Sequence, residues 1–320
     1  MSEQFRLGVH VMTYGATWPE VAAVGQEIDR LGYDFLLMHD HLLATQGDLY
    51  QPFFESYTTL GAWAVLTKNV HLGHLTVGNP FRNPGVVAKA TATLDHISNG
   101  RMTLVLGAGS LPEEFPLHGL AMGQSLGDRL RALDESLSIV TRILAGEEVT
   151  FDSANYHFER VKHRPRPLQK HVPVIVGASG EKVGLRIAAT YADYWQMSVA
   201  PGGVDTYRHK KTVLAGHCAD IGRDPAAVRN LPEGAMIIRE TRAQAEAAFR
   251  ALAGHFAWPA DLRAEHQSLH WLGSPDEVVE MLRPLRDAGI DGLILQALPP
   301  YDYETMRRLA TEVAPALAAS

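Results

Sequence analysis

The sequence has almost no cysteine and no long apolar stretch, and these two absences exclude several classes of protein. Cys218 is the only cysteine among the 320 residues, so no disulfide can form within the chain, which suits a reducing cytoplasm. No apolar run approaches the length of a membrane span, and residues 1–6 lack the cationic and apolar regions of a secretory signal. These absences predict a soluble, cytoplasmic protein without a membrane partner.

A basic excess is also missing. Lys and Arg total 29 against 36 for Asp and Glu, which gives a formal net charge of −7. No stripe of basic residues stands out, whereas proteins that bind nucleic acid need such a patch to neutralise phosphates. The charge pattern therefore predicts that nucleic acid is not a partner.

Short apolar runs alternate with helical patterns along the whole chain, within an ordinary globular composition of 46% hydrophobic and 20% charged residues. The eight runs lie at residues 7–11, 35–38, 70–75, 101–106, 173–176, 193–197, 234–238 and 292–296. Their number predicts an α/β fold, a (β/α)8 TIM barrel that forms a single domain over residues 1–320. A small β-hairpin is expected as an insertion at about residues 148–160. A doubly wound sheet would need Gly-x-Gly-x-x-Gly after the first strand, and residues 7–10 do not provide it.

The second apolar run ends in three titratable residues, His39-Asp40-His41. In a parallel barrel the residues just after the strands form the functional face, so this stretch places imidazoles and a carboxylate at the mouth. The His-x-His spacing is also that of metal-dependent barrel hydrolases. However, no Asp or Glu directly follows the eighth strand and no His follows the fifth or sixth. We therefore predict no metal site.

The turn Gly177-Ala178-Ser179-Gly180 lies between the fifth strand and a helix that we expect to begin at Glu181. Small residues in such a turn let backbone N–H groups approach a phosphate at the positive end of a helix. Turns of this kind are also rich in glycine for steric reasons, so the pattern alone leaves both interpretations open.

Three glutamates are ambiguous in the same way. Glu55 stands at a predicted helix start, where its carboxylate either interacts with the positive end of the helix or projects into the mouth. Glu113 and Glu114 follow the fourth strand and carry the same two alternatives.

Several segments, taken in order, resemble those of one enzyme family. They are residues 35–41, which end in Asp-His, residues 81–84, 88–95 and 98–101, the turn 106–109, residues 176–182 and 188–193, and residues 273–276 with 287–291. Through this ordered set the chain, from about Phe5 to Leu295, resembles the luciferase-like flavin and deazaflavin oxidoreductases, and within them the branch that depends on coenzyme F420.

The resemblance implies an enzyme that binds a deazaflavin at the strand ends and passes a hydride to or from a substrate. It makes His41 the general acid or base, and an imidazole suits proton transfer near neutral pH. The residues that it assigns to the cofactor are Asp40, Leu75, Thr76, Gly78, Ala108, Gly109, Glu113, Gly177, Ala178, Ser179, Gly180, Lys182 and Val183. Leu75-Thr76 falls where family members often hold a non-prolyl cis peptide behind the ring.

The sequence departs from the F420-dependent sugar-phosphate dehydrogenases of this family. They carry an acidic residue after the Gly-x-Gly turn, where this chain has Ser110, and a tryptophan shortly after Asp-His, where it has Thr45. A sugar phosphate is therefore not the expected substrate. The residues that we expect on the substrate side are His10, Tyr14, Glu55, His74 and Trp195.

Two other functions remain open at the level of sequence. One is an FMN-dependent luciferase-like monooxygenase, in which reduced flavin activates O₂. The other is a barrel that binds a flavin-like ligand without turnover. Family relatives commonly dimerise through barrel helices, and the alanine-rich helices of this chain lead us to expect a homodimer.

Overall fold

The computed structural model describes residues 5–111, 113–121 and 125–319. Short strands alternate with helices throughout this part of the chain. The strands are β1 (Arg6–Val11), β2 (Phe35–Met38), β3 (His71–His74), β4 (Val77–Gly78), β5 (Leu104–Gly107), β6 (Val149–Asp152), β7 (His157–Val161), β8 (Val174–Gly177), β9 (Tyr194–Gln196), β10 (Arg229–Asn230), β11 (Glu233–Ile238), β12 (His270–Gly273) and β13 (Gly292–Ala297).

The helices follow the strands as the sequence predicted. They are α1 (Trp18–Arg30), α2 (Ser56–Leu66), α3 (Pro84–Ile97), α4 (Glu114–Leu117), α5 (Leu126–Leu144), α6 (Gly184–Tyr191), α7 (Val204–Asp220), α8 (Arg242–His255), α9 (Ala260–Ser268), α10 (Pro275–Asp287), α11 (Tyr303–Arg308) and α12 (Ala314–Ala319). A capping box starts α10, because Ser274 Oγ accepts the Glu277 N–H at 3.3 Å and Glu277 Oε2 accepts the Ser274 N–H at 2.8 Å. No helix among the described residues is long and apolar enough to cross a bilayer.

Parallel strands form a closed ring. One sheet has the order β12-β11-β13-β1-β2-β3 and a second has the order β10-β9-β8-β5-β4. Leu72 bridges to Met102 at one junction of the two sheets, and Ser198 bridges to Glu233 at the other. The predicted TIM barrel is confirmed. The hairpin of β6 and β7 pairs antiparallel as a separate two-stranded sheet.

The seventh position of the ring differs from the sequence prediction, which placed a strand at residues 234–238. In the structure, residues 229–234 fill this position of the ring. Arg229 and Asn230 pair with β9 on one side, and Glu233 and Gly234 of β11 pair with β13 on the other. The rest of β11 pairs with β12 instead. None of the eight predicted strands corresponds to β12. This shift brings Glu233 to the end of the ring strand.

Side chains alternate between the inside of the ring and the helix layer. Phe35 and Leu37 of β2 join a small cluster inside the barrel, whereas Leu36 and Met38 join the larger core beneath the helices. Fully burying such a side chain stabilises the fold by about 1.5–3 kcal/mol. The same alternation continues past the strand end and directs His39 toward the barrel axis.

Candidate active site

A cavity of about 470 Å³ opens at the carboxyl ends of the barrel strands. Small-molecule sites have volumes of about 300–1,000 Å³, so this one has room for a ligand. The predicted site residues that line it are His41, Asp40, Leu75, Thr76, Gly78, Ala108, Gly109, Gly177, Ala178 and Ser179. The fold therefore gathers the ends of β2, β3, β5 and β8 around one space.

His41 is held by a buried carboxylate. Its Nδ1 lies 3.1 Å and 3.0 Å from the two carboxylate oxygens of Glu114, which has no exposed side-chain surface. The backbone N–H groups of Leu42 and Leu43 also donate to Glu114 Oε1, each at 3.2 Å. Because an ionised carboxylate only accepts hydrogen bonds, Nδ1 carries a hydrogen, and Nε2 is the ring nitrogen that Glu114 does not contact. The arrangement leaves an oriented imidazole at the cavity wall.

Asp40 lines the cavity, but its oxygens are already occupied. Oδ1 accepts the Ser56 hydroxyl, and Oδ2 accepts the Gly78 N–H at 3.1 Å together with the Arg82 guanidinium. Arg82 also pairs with Glu55 Oε1 at 2.7 Å. Asp40 therefore ties β2 to the start of α2 and to β4, which fixes the wall beside His41.

The expected non-prolyl cis peptide is present at Leu75-Thr76. Thr76 lies between two glycines, and their lack of side chains is a steric requirement. A Cβ on Gly107 would meet Thr76 Oγ1 at 2.1 Å, and one on Gly177 would meet Thr76 Cγ2 at 3.1 Å. The cavity wall on this side is therefore built from backbone and small residues, a cradle that side chains would fill.

The turn after β8 extends from the cavity to the rim. Gly180 and Lys182 are exposed and Val183 is half-buried, and none of them is among the cavity-lining residues. The helix begins at Gly184 rather than at Glu181. Glu181 instead pairs with Lys210 at 2.6 Å on α7, and this pairing fixes the rim side of the turn.

Two predicted substrate residues, His10 and Tyr14, lie behind His39 and are not among the residues that line the cavity. The His10 ring is 4.3 Å from the His39 ring, which is 5.3 Å from the His41 ring. The Tyr14 hydroxyl lies 3.3 Å from His39 Nδ1 and also contacts the Thr45 hydroxyl. Burial, with smaller contributions from His10 and His41, holds the pKa of His39 well below its usual range, and burial raises the pKa of Tyr14 to about 12. His39 is therefore a neutral spacer at neutral pH.

The structure places the other predicted substrate residues away from the cavity. Glu55 caps α2, where its carboxylate accepts the N–H groups of Tyr57 at 3.2 Å and Thr58 at 2.7 Å. His74 is 1% exposed and packs against the Tyr57 ring at 4.3 Å, and burial lowers its pKa to about 4. Glu55 therefore belongs to the start of α2, and His74 of β3 packs against that helix.

Trp195 and Glu113 also lie outside the cavity. The Trp195 ring stacks on Tyr207 at 5.6 Å in the helix layer, and its Nε1 donates to the Ala178 carbonyl at 2.8 Å. Trp195 thus supports the turn after β8 from behind. Glu113 is exposed at the N-terminal end of α4, whereas the next residue, Glu114, is the one that reaches His41.

The polar residues at the cavity that were not among the predicted site residues include Gln196 and Glu233. The signal for Glu233 was its two-residue spacing from Leu231, which points into the barrel. Placing the seventh strand too late hid this spacing. Gln196 ends β9, and its side-chain amide donates to Glu233. No sequence pattern pointed to this contact.

The family model of the luciferase-like monooxygenases matches residues 1–295. The chain belongs to the luciferase-like monooxygenase family. The family predicted from the sequence is confirmed, and it is a family of enzymes.

Relatives within the luciferase-like family differ in cofactor and reaction. An F420-dependent glucose-6-phosphate dehydrogenase of Nakamurella multipartita is 34% identical over 54% of this chain and 50% of its own length. The 4-hydroxyprotoasukamycin monooxygenase of Streptomyces nodosus subsp. asukaensis is 28% identical over 88% of this chain and 81% of its own length. Uncharacterized proteins of Mycobacterium tuberculosis are 31% identical over 55% of this chain, and the match spans 60% of their length.

Solved luciferase-like structures agree in fold. The coenzyme F420-dependent tetrahydromethanopterin reductase of Methanopyrus kandleri superposes with a TM-score of 0.79 at 16% identity, over 98% of this chain and 99% of that one. At this identity the likeness establishes the barrel architecture.

Proposed function

We propose that this luciferase-like protein is an F420-dependent oxidoreductase that transfers a hydride between the deazaflavin and a small organic substrate. The observation that carries the proposal is the His41–Glu114 pair at the wall of the cavity. Such a pair is the arrangement expected of a general acid or base, because the carboxylate fixes the ring orientation and leaves Nε2 for proton transfer.

The small-residue cradle fits a flat three-ring cofactor. Gly107 and Gly177 exclude side chains from the wall, and the 470 Å³ cavity lies between them and His41. Leu75, Thr76, Gly78, Ala108 and Gly109 would hold the ring, with Asp40 fixing the wall beside it. The turn of Gly177, Ala178, Ser179, Gly180, Lys182 and Val183 would hold the phosphodiester through backbone N–H groups and the Lys182 charge. When bound, the deazaflavin would supply the hydride-accepting or hydride-donating carbon.

His41 then handles the proton that accompanies the hydride. With Nδ1 hydrogen-bonded to Glu114, Nε2 takes a proton from the substrate in one direction and returns it in the other.

An FMN-dependent monooxygenase is the second candidate. It is favoured by the monooxygenase relative, which matches 88% of this chain. The two candidates differ in whether the rim beyond Lys182 accepts a long anionic tail or ends at a phosphate.

We also propose a homodimer. Apolar side chains are exposed on the neighbouring helices α2 and α3, where Val65 is 71%, Val86 58% and Ile97 46% exposed. Pairing of two copies across these helices would bury them. Light scattering coupled to size-exclusion chromatography tests this, and a monomeric mass at micromolar concentration would contradict it.

Titration of the apo-protein with F420 and, separately, with FMN tests the cofactor. Quenching of cofactor fluorescence gives each dissociation constant. We expect tight binding of F420 and weak binding of FMN. The reverse order would replace the first candidate with the monooxygenase, and binding of neither would contradict both. Ser179→Asp should weaken binding through charge repulsion with the phosphate, whereas an unchanged affinity would remove this turn from the site.

A further inference from the structure

A second histidine–glutamate pair lies at the floor of the cavity, and nothing in the proposed hydride transfer uses it. His10 Nδ1 is 2.6 Å from Glu233 Oε1, and the two side chains are 4% and 5% exposed. Glu233 Oε2 accepts the Gln196 side-chain N–H at 2.6 Å and faces the Ser198 hydroxyl at 3.5 Å. Unlike His10, Glu233, Gln196 and Ser198 all line the cavity.

The hydrogen bonds of this pair define what Glu233 offers to the cavity. His10 Nδ1, the Gln196 side-chain amide and the Ser198 hydroxyl all face its two oxygens as donors. The carboxylate of Glu233 is therefore an acceptor-only group that carries a negative charge.

No positive side chain offsets this charge within the cavity. Among the described residues that line it there is no Lys or Arg, and the charge of Asp40 is already matched by Arg82. His39 separates Glu233 and His10 from His41, with ring distances of 4.3 Å and 5.3 Å. The Glu233 carboxylate consequently faces the cavity with no Lys or Arg among the described residues that line it.

Glu233 keeps room for one more hydrogen bond. A carboxylate offers about four acceptor positions, and His10, Gln196 and Ser198 occupy three of them. Because Glu233 lines the cavity, its remaining acceptor position is available to a ligand. A hydrogen bond to a charged acceptor is stronger than one between neutral groups.

We propose that Glu233 determines substrate specificity: its carboxylate accepts a hydrogen bond from a neutral hydroxyl group of the substrate and excludes substrates that carry a phosphate or carboxylate beside the reacting carbon. This inference rests on the proposed function and names its substrate class, a neutral alcohol or the carbonyl compound derived from it. His10 and Gln196 are positioning residues that hold the carboxylate in place.

Matched probes test the proposal without any need for turnover. Cyclohexanol and cyclohexanecarboxylate share a ring and differ in the charge of one group. Their affinities are measured by ligand-observed NMR, both with the apo-protein and with the F420-loaded protein. We expect cyclohexanol to bind about tenfold more tightly than the carboxylate, because a hydroxyl can donate to Glu233 whereas a second carboxylate meets it without a donor between them.

Variants of Glu233 separate its charge from its shape. Glu233→Gln removes the charge, so the carboxylate probe should gain about tenfold in affinity and the preference should vanish. Glu233→Asp keeps the charge but withdraws it, so cyclohexanol should weaken while the carboxylate remains excluded. Glu159→Gln, an exposed glutamate on β7, is the matched control and should leave the ratio unchanged. Circular dichroism verifies that each variant is folded.

Different results would overturn this inference and the proposed function. Equal affinities of the two probes for the wild-type protein would overturn the inference, whether or not F420 binds. A preference that survives in Glu233→Gln would assign the selectivity to another residue and would also overturn it. Failure of F420 to bind, in contrast, would contradict the proposed function and leave the probe ratio as an independent result.

Discussion

The histidines at the mouth of the barrel and those in its helix layer differ in what their ring nitrogens meet. At the mouth, His10 and His41 each direct Nδ1 at a buried glutamate. In the helix layer, His74 packs on Tyr57, and its Nε2 has no hydrogen-bond partner in the described part of the chain, whereas His270 Nδ1 bonds to the His266 carbonyl at 2.6 Å. Burial lowers the pKa of both His74 and His270 to about 4.

This contrast separates acid–base chemistry from packing. A carboxylate partner orients an imidazole and stabilises its protonated form, so the ring can exchange a proton during a reaction. A buried imidazole without such a partner stays neutral and serves as a flat, polarisable filler. Residue type and position after a strand do not distinguish the two, because His74 and His41 both lie near strand ends.

Removing the imidazole at the cavity wall should have the largest effect. We expect His41→Ala to lower kcat by about 10²–10⁴-fold, the usual contribution of a general acid or base. Cofactor affinity should change little, because the cradle is built from other residues. Steady-state rates with fluorescence titration of the same samples check this. An unchanged kcat would require another acid, or a protein that binds its ligand without turnover.

His74 should make the free energy of unfolding depend on pH. Its pKa is about 4 in the folded state and about 6.5 when unfolded, so the unfolded state binds more protons between these values. The free energy of unfolding is therefore complete above pH 6.5 and falls by about 3 kcal/mol as the pH falls to 4. His74→Phe, which keeps an aromatic contact with Tyr57, should flatten this slope in urea titrations. An equal slope in the variant would show that His74 is already protonated in the fold.

Sequence periodicity predicted the barrel well because each ring strand is a short apolar run. It also located Asp40-His41 and the Gly177–Ser179 turn, since these follow strands directly. The partners of these residues could not be predicted, because Glu114 reaches His41 from a helix more than seventy residues away. Glu233 was hidden for a different reason: β11 continues past the ring to pair with β12, and the apolar run alone gave the wrong pairing.

The carboxylate that holds His41 should have a smaller effect than His41 itself. Groups that orient a reacting imidazole typically contribute about 10–100-fold. We therefore expect Glu114→Gln to lower kcat by about 10–100-fold with little change in KM. A glutamine can still accept from Nδ1, but its amide N–H₂ can equally face the ring and favour the opposite tautomer.

A purely structural role for Glu114 predicts a different pattern. Glu114 also accepts the N–H groups of Leu42 and Leu43, so its loss could loosen the loop instead of reorienting the ring. Glutamine keeps an oxygen for those donors, so a loosened loop should appear only in Glu114→Ala, as a lower melting temperature. A variant Glu114→Gln with normal melting temperature and a reduced kcat identifies the carboxylate as the positioning group. The same variant with full activity would leave His41 without a required partner, and the distinction between the mouth and the helix layer would then rest on exposure to the cavity alone.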